Sequence, residues 1–599
     1  MKKALVIFMT LIVSIAALSG CAGSGSGDTS SANSTAASAA SASEGSSAVS
    51  GDVSQASSDT SSQTSSQTSG SESSYFSDAD YKDVTSETPH AEIVFSGSSA
   101  SISDTTRGTV SDNTVTITSK GIYKISGNSD DVSIVVDDSS KSGNIYLILD
   151  NVTMTTSSAP CIYVKNADKV LIQSTGTNSL TFSGSSSAKE DGAVYAKDDV
   201  TFSGSGELTL TSNLHGVVCK NDLKITGSKF NVKAESIGLK SEGTVRIGGG
   251  TILVESGHDG IQLANDDNDA SFYFEQATAA ISAGYDGISV KAGDSSKTFT
   301  GTVELNGGIL TVLTASGQGS DVSKDSSTSQ KGIKTDGSIT IDQTSLTISA
   351  ADDAIHSNAD ITIKSGALVL SSSDDGITAS GDITIDGGSI VVTKSYEGIE
   401  AENVTINLGI VSVTASDDGI NCSGGSDTSS NDDRPWNSGN TNAKLTINGG
   451  TVHVNSEGDG LDSNGSIYIT GGTVIVEGPS SPGNGAIDKG DGADCVASIT
   501  GGTVLAIGTS DMAVNFDTGT QCSALVSLSG SDGTYITVDD GSDFSFTANK
   551  SYSSIVYSSP YLKEGSSCTI TSGDSTAAAD FSSGLYYSNV ASRGMGGRA

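Results

Sequence analysis

Seven acidic residues stand directly before a small residue and an aliphatic one: Asp259-Gly260-Ile261, Asp286-Gly287-Ile288, Asp353-Ala354-Ile355, Asp375-Gly376-Ile377, Glu397-Gly398-Ile399, Asp418-Gly419-Ile420 and Asp459-Gly460-Leu461. From Asp353 the successive steps are 22, 22 and 21 residues, to Asp375, Glu397 and Asp418. A fixed period of this length is the mark of one supersecondary unit stacked on copies of itself, so stacking in register gathers the acids into a column. More acids join at fixed offsets. Asp352, Asp374 and Asp417 precede column acids directly, and Glu457 and Asp459 flank Gly458. Asp462 and Asp488 follow Leu461 and Ile487, in a slot that Glu400 and Asn421 fill in other units.

Stacked coils lie about 4.8 Å apart. Two carboxylates at that spacing repel by roughly 3–4 kcal/mol at an effective dielectric near 20. Relief comes from pointing into water, from taking up protons or from a cation between them. Oxygens from neighbouring coils suit Ca2+, which takes roughly 6–8 oxygen ligands. The expected ligands are Asp352, Asp353, Asp374, Asp375, Glu397, Asp417, Asp418, Glu457, Asp459, Asp462 and Asp488. The plainer reading of each Asp-Gly is a turn, with Asp capping the backbone and Gly accepting positive φ. His215, Ile237 and Lys331 interrupt the same slot, which places the metal sites in the middle and later units.

The elements that must position these acids are short strands. Gly376 to Ser380, Asp382 to Ile385 and Ser389 to Lys394 form three alternating segments separated by Gly/Asp turns. Three strands in a coil of about 22 residues predict an all-β solenoid, a parallel β-helix; the absence of hexapeptide repeats favours the right-handed form. Two gaps break the period, 45 residues from Gly287 to Gly332 and 41 from Gly419 to Gly460. The second holds a loop over 424–442 with Arg434 and the single tryptophan, Trp436. Insertions in solenoids fall on one face, often the binding face. Arg434 and Trp436 on this loop, with Tyr396 outside it, are the candidate sugar contacts, and Tyr285 is a further stacking candidate; the plainer reading of the loop is disordered decoration.

The flanks differ in texture. Met1-Lys2-Lys3, an apolar run to Leu18 and then Ser19-Gly20-Cys21 read as a lipoprotein signal over 1–20, with Cys21 receiving the lipid. Such an anchor would hold the rest on the outer face of the bacterial cell membrane. Residues 21–75, rich in Ser, Ala, Gly and Thr, read as a disordered tether. The solenoid is expected over 76–530, a C-terminal β cap over 531–580 and a mobile tail over 581–599. The net charge of −39 disfavours nucleic acid and anionic lipid as partners. Cys161, Cys219, Cys422, Cys495, Cys522 and Cys568 lack metal-site spacing and are expected as buried thiols rather than disulfides. The five histidines form no nucleophilic set.

The series Gly458-Asp459-Gly460-Leu461-Asp462-Ser463-Asn464-Gly465, Ile469-Thr470-Gly471-Gly472-Thr473-Val474, Gly485-Ala486-Ile487-Asp488 and Ile499-Thr500-Gly501-Gly502-Thr503-Val504 resembles the calcium-binding β-helix family of bacterial surface carbohydrate-binding domains found in cellulolytic clostridia. The resemblance runs over roughly residues 90–575. It implies a right-handed, pectate-lyase-like β-helix, bound Ca2+ and binding of acidic plant polysaccharide (polygalacturonate) and cellulose; the chain itself is expected to be a monomer. Two other functions stay open. A lyase of the same fold would pair Ca2+ with an Arg or Lys base, but Lys240, Arg246, Lys331, Lys334 and Arg434 form no basic cluster beside the densest acids. A structural adhesin would leave the acids as solvated turns.

Overall fold

The computed structural model describes residues 75–317, 328–423 and 442–590. Cys21, Arg434 and Trp436, the leader and tether, the loop over 424–441 and the tail from 591 lie outside them. The described chain is β throughout apart from one short helix, Asp78–Tyr81.

Each unit contributes three strands, and each strand pairs in parallel with its counterpart one unit on. Ile377–Ala379, Asp382–Ile385 and Ser389–Ser395 make one coil. In the preceding coil Ile355, Ile361 and Leu368 stand opposite Ile377, Ile383 and Ile390. The first strands of successive coils form one 16-stranded sheet; the second and third strands join a 32-stranded one. Alternation sends Ile383, Ile385, Ile390 and Val392 inward, all within 1% of full burial, while Thr384 and Val391 sit half-buried outside. One aliphatic ladder, Ile261, Ile288, Ile333, Ile355, Ile377, Ile399, Ile420, Leu461 and Ile487, lies wholly in the core directly behind the acid column. The six cysteines are buried and free, in line with the sequence reading.

The glycine of the acid-Gly-Ile motif is required for space. None of Gly260, Gly287, Gly376, Gly398, Gly419 or Gly460 has positive φ, which corrects the turn argument; that conformation belongs to the second glycine of the Gly-Gly turns, such as Gly388 and Gly472. A Cβ on Gly398 would lie 2.1 Å from Cγ1 of Val413 and 2.3 Å from the carbonyl oxygen of Gly419. The wall residue is β-branched at each of these glycines: Ile281, Val312, Val392, Val413, Val454 and Val476. The exception explains itself. Ala354 fills the glycine slot in the coil whose wall residue is Leu370, in register with Val392 one coil on. There the hydrogen bond from Ile355 N to Gly376 O stretches to 3.3 Å, against 3.1 Å from Ile377 N to Gly398 O. Gly398→Ala should thus cost about 1–3 kcal/mol by overpacking. Adding Val413→Leu should restore part of that loss in urea unfolding; no recovery would refute the steric account.

Both ends of the stack are closed, as exposed strand edges require. At the start, Ala91–Gly97 folds back on Ser99–Ile102 and Gly108–Ser111 on Thr114–Ile117 as antiparallel hairpins. At the end, Ser554–Ser558 runs antiparallel to Thr503–Gly508, and Tyr535–Asp539 with Ser545–Thr547, Ser567–Ser572 and Ser575–Asp580 forms a separate four-stranded sheet. Within the stretch expected to be a mobile tail, Tyr586–Ser588 pairs with Ser523–Leu525.

The residues before the first hairpin form a strap across the coils. Tyr75 donates to Glu304 (2.9 Å) and stacks on Tyr273 with ring centroids 4.1 Å apart. Phe76 and Tyr81 cover Gly248. Asp80, fully buried, meets the ammonium groups of Lys169 and Lys224 and accepts from Thr201 (2.7 Å), while Gln173 donates to the carbonyl of Lys82 (2.6 Å). Burial opposes the Asp80 charge, but Lys169 and the Ser77 N–H outweigh it and hold the carboxyl well below the usual range. Asp80→Ala strands two lysines and should cost about 3 kcal/mol; faster proteolysis within residues 75–90 is the readout.

Candidate metal centre

Register converts the sequence period into a site. Ile261, Ile288, Ile333, Ile355, Ile377, Ile399, Ile420, Leu461 and Ile487 stand opposite one another in turn. The residues two positions earlier therefore form one file: Asp259, Asp286, Lys331, Asp353, Asp375, Glu397, Asp418, Asp459 and Gly485. The residues one position later form a parallel file that includes Glu400, Asn421, Asp462 and Asp488, paired in that order.

One oxygen of each column aspartate, though not of Glu397, has a structural task that the sequence reading missed. It accepts the backbone N–H of the residue in the same slot one coil on. The distances are 3.1 Å for Asp353 with Asp375 N, 3.2 Å for Asp375 with Glu397 N, 2.6 Å for Asp418 with Asp459 N and 2.5 Å for Asp459 with Gly485 N. The acid thus caps the neighbouring turn and keeps its second oxygen for other partners. The available signal was the constant position of the acid against the aliphatic ladder.

Those second partners divide the column. Just past Lys331, Asp353 Oδ2 meets the Lys331 ammonium and His356 Nδ1 (2.9 Å), while Lys331 also reaches Asp352 Oδ1 at 3.3 Å. Burial would raise the Asp353 carboxyl, but Lys331 and His356 hold it well below the usual carboxylate range. In the middle, Asp375 Oδ2 accepts from Thr378 Oγ1 (3.0 Å) and Glu397 Oε2 from Asn421 Nδ2 (3.0 Å). Both carboxyls are pushed far up, by burial first and then by neighbouring acids, with Glu400 acting on each.

At the downstream end Asp459, Asp462 and Asp488 bring one oxygen each within 4.8 Å of one another. Among the described residues no lysine, arginine or histidine pairs with any of the three. Lys489 is engaged by Cys495 O (2.9 Å) and Asp517 (3.5 Å), and Lys550 by Ser456 O (2.5 Å) and Glu457 (3.0 Å). Burial and mutual repulsion push Asp418 up to about 6 and Asp459 up to about 8, and raise Asp462 strongly. Asp488 is raised too, by burial and then Asp491. Beside them Asn421 is 7% exposed, and its Oδ1 is buried without a hydrogen-bond donor. Gathered carboxylates beside an amide oxygen that lacks a donor are an arrangement that a cation relieves.

The expected ligands are thus only partly gathered. Asp352, Asp353 and Asp374 form one cluster and Asp459, Asp462 and Asp488 another, with Asp375, Glu397 and Asp418 in the column between them. Asp417 lies half-buried beside Asp418. Glu457 is exposed and turned to Lys550 and Ser480. Tyr396 is 48% exposed one residue before Glu397. Tyr285 instead packs against His258, ring centroids 4.7 Å apart. Glu400 and Asn421 belong with the site, although a search for column acids alone passes over them.

A family model described as carbohydrate-binding domain-containing protein matches residues 111–376 and 368–581. A carbohydrate-binding domain-containing protein of Acetivibrio thermocellus is 35% identical over 160 residues, 25% of this chain and 56% of the relative, so the chain spans little more than half of that protein's length. Among solved structures, a polysaccharide lyase-like protein from C. thermocellum, in a gadolinium derivative, aligns at 25% identity over 54% of this chain and 99% of its own, with a TM-score of 0.30 that is too loose to bear on the fold. The family match extends across the acid column and both clusters, and on that extent the chain belongs to the carbohydrate-binding domain-containing protein family.

Proposed function

We propose that this protein is a cell-surface polysaccharide-binding protein: a right-handed parallel β-helix that holds Ca2+ between its downstream coils and uses the metal to bind acidic, polygalacturonate-like chains. The observation that carries this reading is the Asp459, Asp462 and Asp488 cluster, without a counter-ion among the described residues, next to the orphaned Oδ1 of Asn421. The donor set is oxygen alone, with Asp418 adjacent, and suits a hard cation of flexible coordination. An ion held from one side keeps positions for sugar carboxylates, which is how a chain of net charge −39 can take an acidic polymer. Tyr396, at the rim, offers an apolar face for a sugar ring. Arg434 and Trp436 complete the proposed contacts, and Cys21 is the proposed lipid attachment that places the protein outside the cell membrane.

Binding without cleavage is the proposed activity. A lyase needs a base beside the metal; among the described residues Lys489 donates to Cys495 O and Lys550 to Ser456 O. In affinity electrophoresis, migration through polygalacturonate should be retarded with Ca2+ and unretarded with EDTA, and no ultraviolet-absorbing unsaturated product should accumulate. Undiminished retardation in EDTA would remove the metal bridge. Accumulating unsaturated product would make the protein a lyase.

A further inference from the structure

The chain carries a net charge of −39, yet a cavity of about 320 Å3 at the N-terminal end of the stack is basic. Lys82, Arg107 and Lys120 line it against one carboxylate, Glu87. Three cations gathered in a strongly acidic chain reverse the local field and draw anions. Each cation is held without being fully neutralised. Lys82 pairs with Glu87 at 3.0 Å, but both side chains are exposed, where such a pair is worth little. Arg107 sets Nε 3.4 Å from Asp104 and donates through Nη1 to Lys120 O (3.0 Å), which leaves further N–H groups on the guanidinium. Lys120 donates to the neutral Ser142 O (3.1 Å) and, among the described residues, meets no carboxylate. His90 Nδ1 accepts the Ile122 N–H (3.0 Å), so the proton of the neutral ring sits on Nε2 as one more donor. Gly121 permits this gathering: its φ is +148°, and a Cβ there would lie 3.2 Å from His90 Cγ and 3.3 Å from Arg107 Nη1. Ile122 and Tyr146, opposite one another on adjacent strands, add apolar surface to the lining. Asn144 donates to Tyr146 Oη (3.4 Å) and keeps its amide oxygen as an acceptor.

We propose that this cavity is a second glycan site, which binds a single hexuronate residue, free or at the end of a chain, without metal. The family supplies the sugar and the three cations select its carboxylate. The planar guanidinium of Arg107 matches a carboxylate in a way that no neutral hydroxyl does. Tyr146 and Ile122 suit the apolar face of a sugar ring, and Asn144 and His90 suit its hydroxyls. The volume falls at the small end of the roughly 300–1,000 Å3 of ligand pockets, so the site takes one residue and not the run of a polymer. Long polygalacturonate offers few ends, and this site therefore adds little to retardation in EDTA. No member of the acid column lines the cavity. Its walls come from different segments: Lys82 from the end of the strap, Arg107 from the turn before Gly108–Ser111, and Lys120 and Asn144 from the turns that open the first coils. A bound sugar acid ties the strap to those coils.

The test is calorimetric titration of the full chain in EDTA with galacturonate, trigalacturonate and galactose. Binding of both acids supports a site for the single residue, and binding of trigalacturonate alone supports a site for chain ends. Binding of neither acid overturns the proposal, as does galactose binding equally well. Arg107→Gln and Lys120→Gln should each weaken binding of the acids by about 10-fold, the cost of one charged hydrogen bond. Unchanged affinity in both folded variants refutes the site. If Arg107→Gln folds poorly, Lys82→Gln alters an exposed side chain and should weaken binding in the same direction. In the parent, a saturating concentration of the bound acid should slow proteolysis within residues 75–90, because Lys82 lies at the end of the strap; binding that leaves this cleavage unaltered places the acid elsewhere and also counts against the proposal. Ca2+ enters none of these measurements, so a failure of the metal bridge leaves their outcome unchanged.

Discussion

Asp462→Asn should weaken Ca2+ binding by more than the roughly 10–100-fold that loss of an outer-shell partner costs, and in chelator the same variant should melt above the parent. The opposite signs follow from the geometry. With metal present, Asp462 supplies an ionised oxygen that an amide replaces poorly. Without metal, Asp462 is one of a group of buried carboxyls whose repulsion, at about 4.8 Å and an effective dielectric near 20, is on the order of 3 kcal/mol per charged pair. The amide removes one charge. It also brings an N–H beside Asn421 Oδ1, the strand partner of residue 462, which otherwise lacks a donor. Melting curves at pH 8 with Ca2+ and with EDTA check both signs. A variant less stable than the parent under both conditions would mean that Asp462 is a structural residue.

The second large effect is on pH dependence. In chelator, the parent should lose stability steadily as pH rises from about 5 to 9, and saturating Ca2+ should abolish that slope. Asp418 and Asp459 move from 3.8 up to about 6 and about 8 on folding. A carboxyl raised in this way binds its proton more tightly in the folded state. Its contribution is complete below about pH 4 and disappears as pH passes through the folded value. Asp80 and Asp353 act in the opposite sense: both are lowered, so their contribution is present above about pH 4 and lost in acid. The metal-free protein is therefore most stable between roughly pH 4 and 6, and the loss on the alkaline side amounts to several kcal/mol. At the proposed site Ca2+ would bind the ionised carboxylates, so its stabilisation should grow over the range in which the protons are lost. Calorimetry from pH 5 to 9 tests this, and a flat or rising melting temperature in EDTA would refute it.

What could be read from the sequence was whatever repeats. The period sets the register, and the register places Asp459, Asp462 and Asp488 together although up to 29 positions separate them. Departures from the repeat were legible only as interruptions. Lys331 is a missing acid in the sequence and the partner of Asp352 and Asp353 in space. Glu457 follows the acidic pattern, yet it faces Lys550, whose position depends on how the C-terminal sheet folds back over the coils. The motif glycine was visible and its reason was not, because the collision that excludes a Cβ comes from the third strand and from the next coil. The antiparallel closures have no period at all, so strands such as Ala91–Gly97, Thr114–Ile117 and Tyr535–Asp539 could be recognised one by one, without their partners.

The strap from Tyr75 to Val84 also determines how the molecule carries force. Its contacts run from Glu304 and Tyr273 through Gly248, Thr226, Lys224 and Thr201 to Lys169 and Gln173, across six successive strands. A pull on Tyr75 does not peel the first coil from the stack. It loads ring stacking, the Asp80 ion pairs and the Gln173 hydrogen bonds at right angles to the strands, and all must yield before the Ala91–Gly97 hairpin feels tension. Forced unfolding is governed by the rate of crossing that barrier and not by the equilibrium stability. The strap is thus a mechanical fuse, shielding the coils of the acid column from whatever tugs on the N-terminal side.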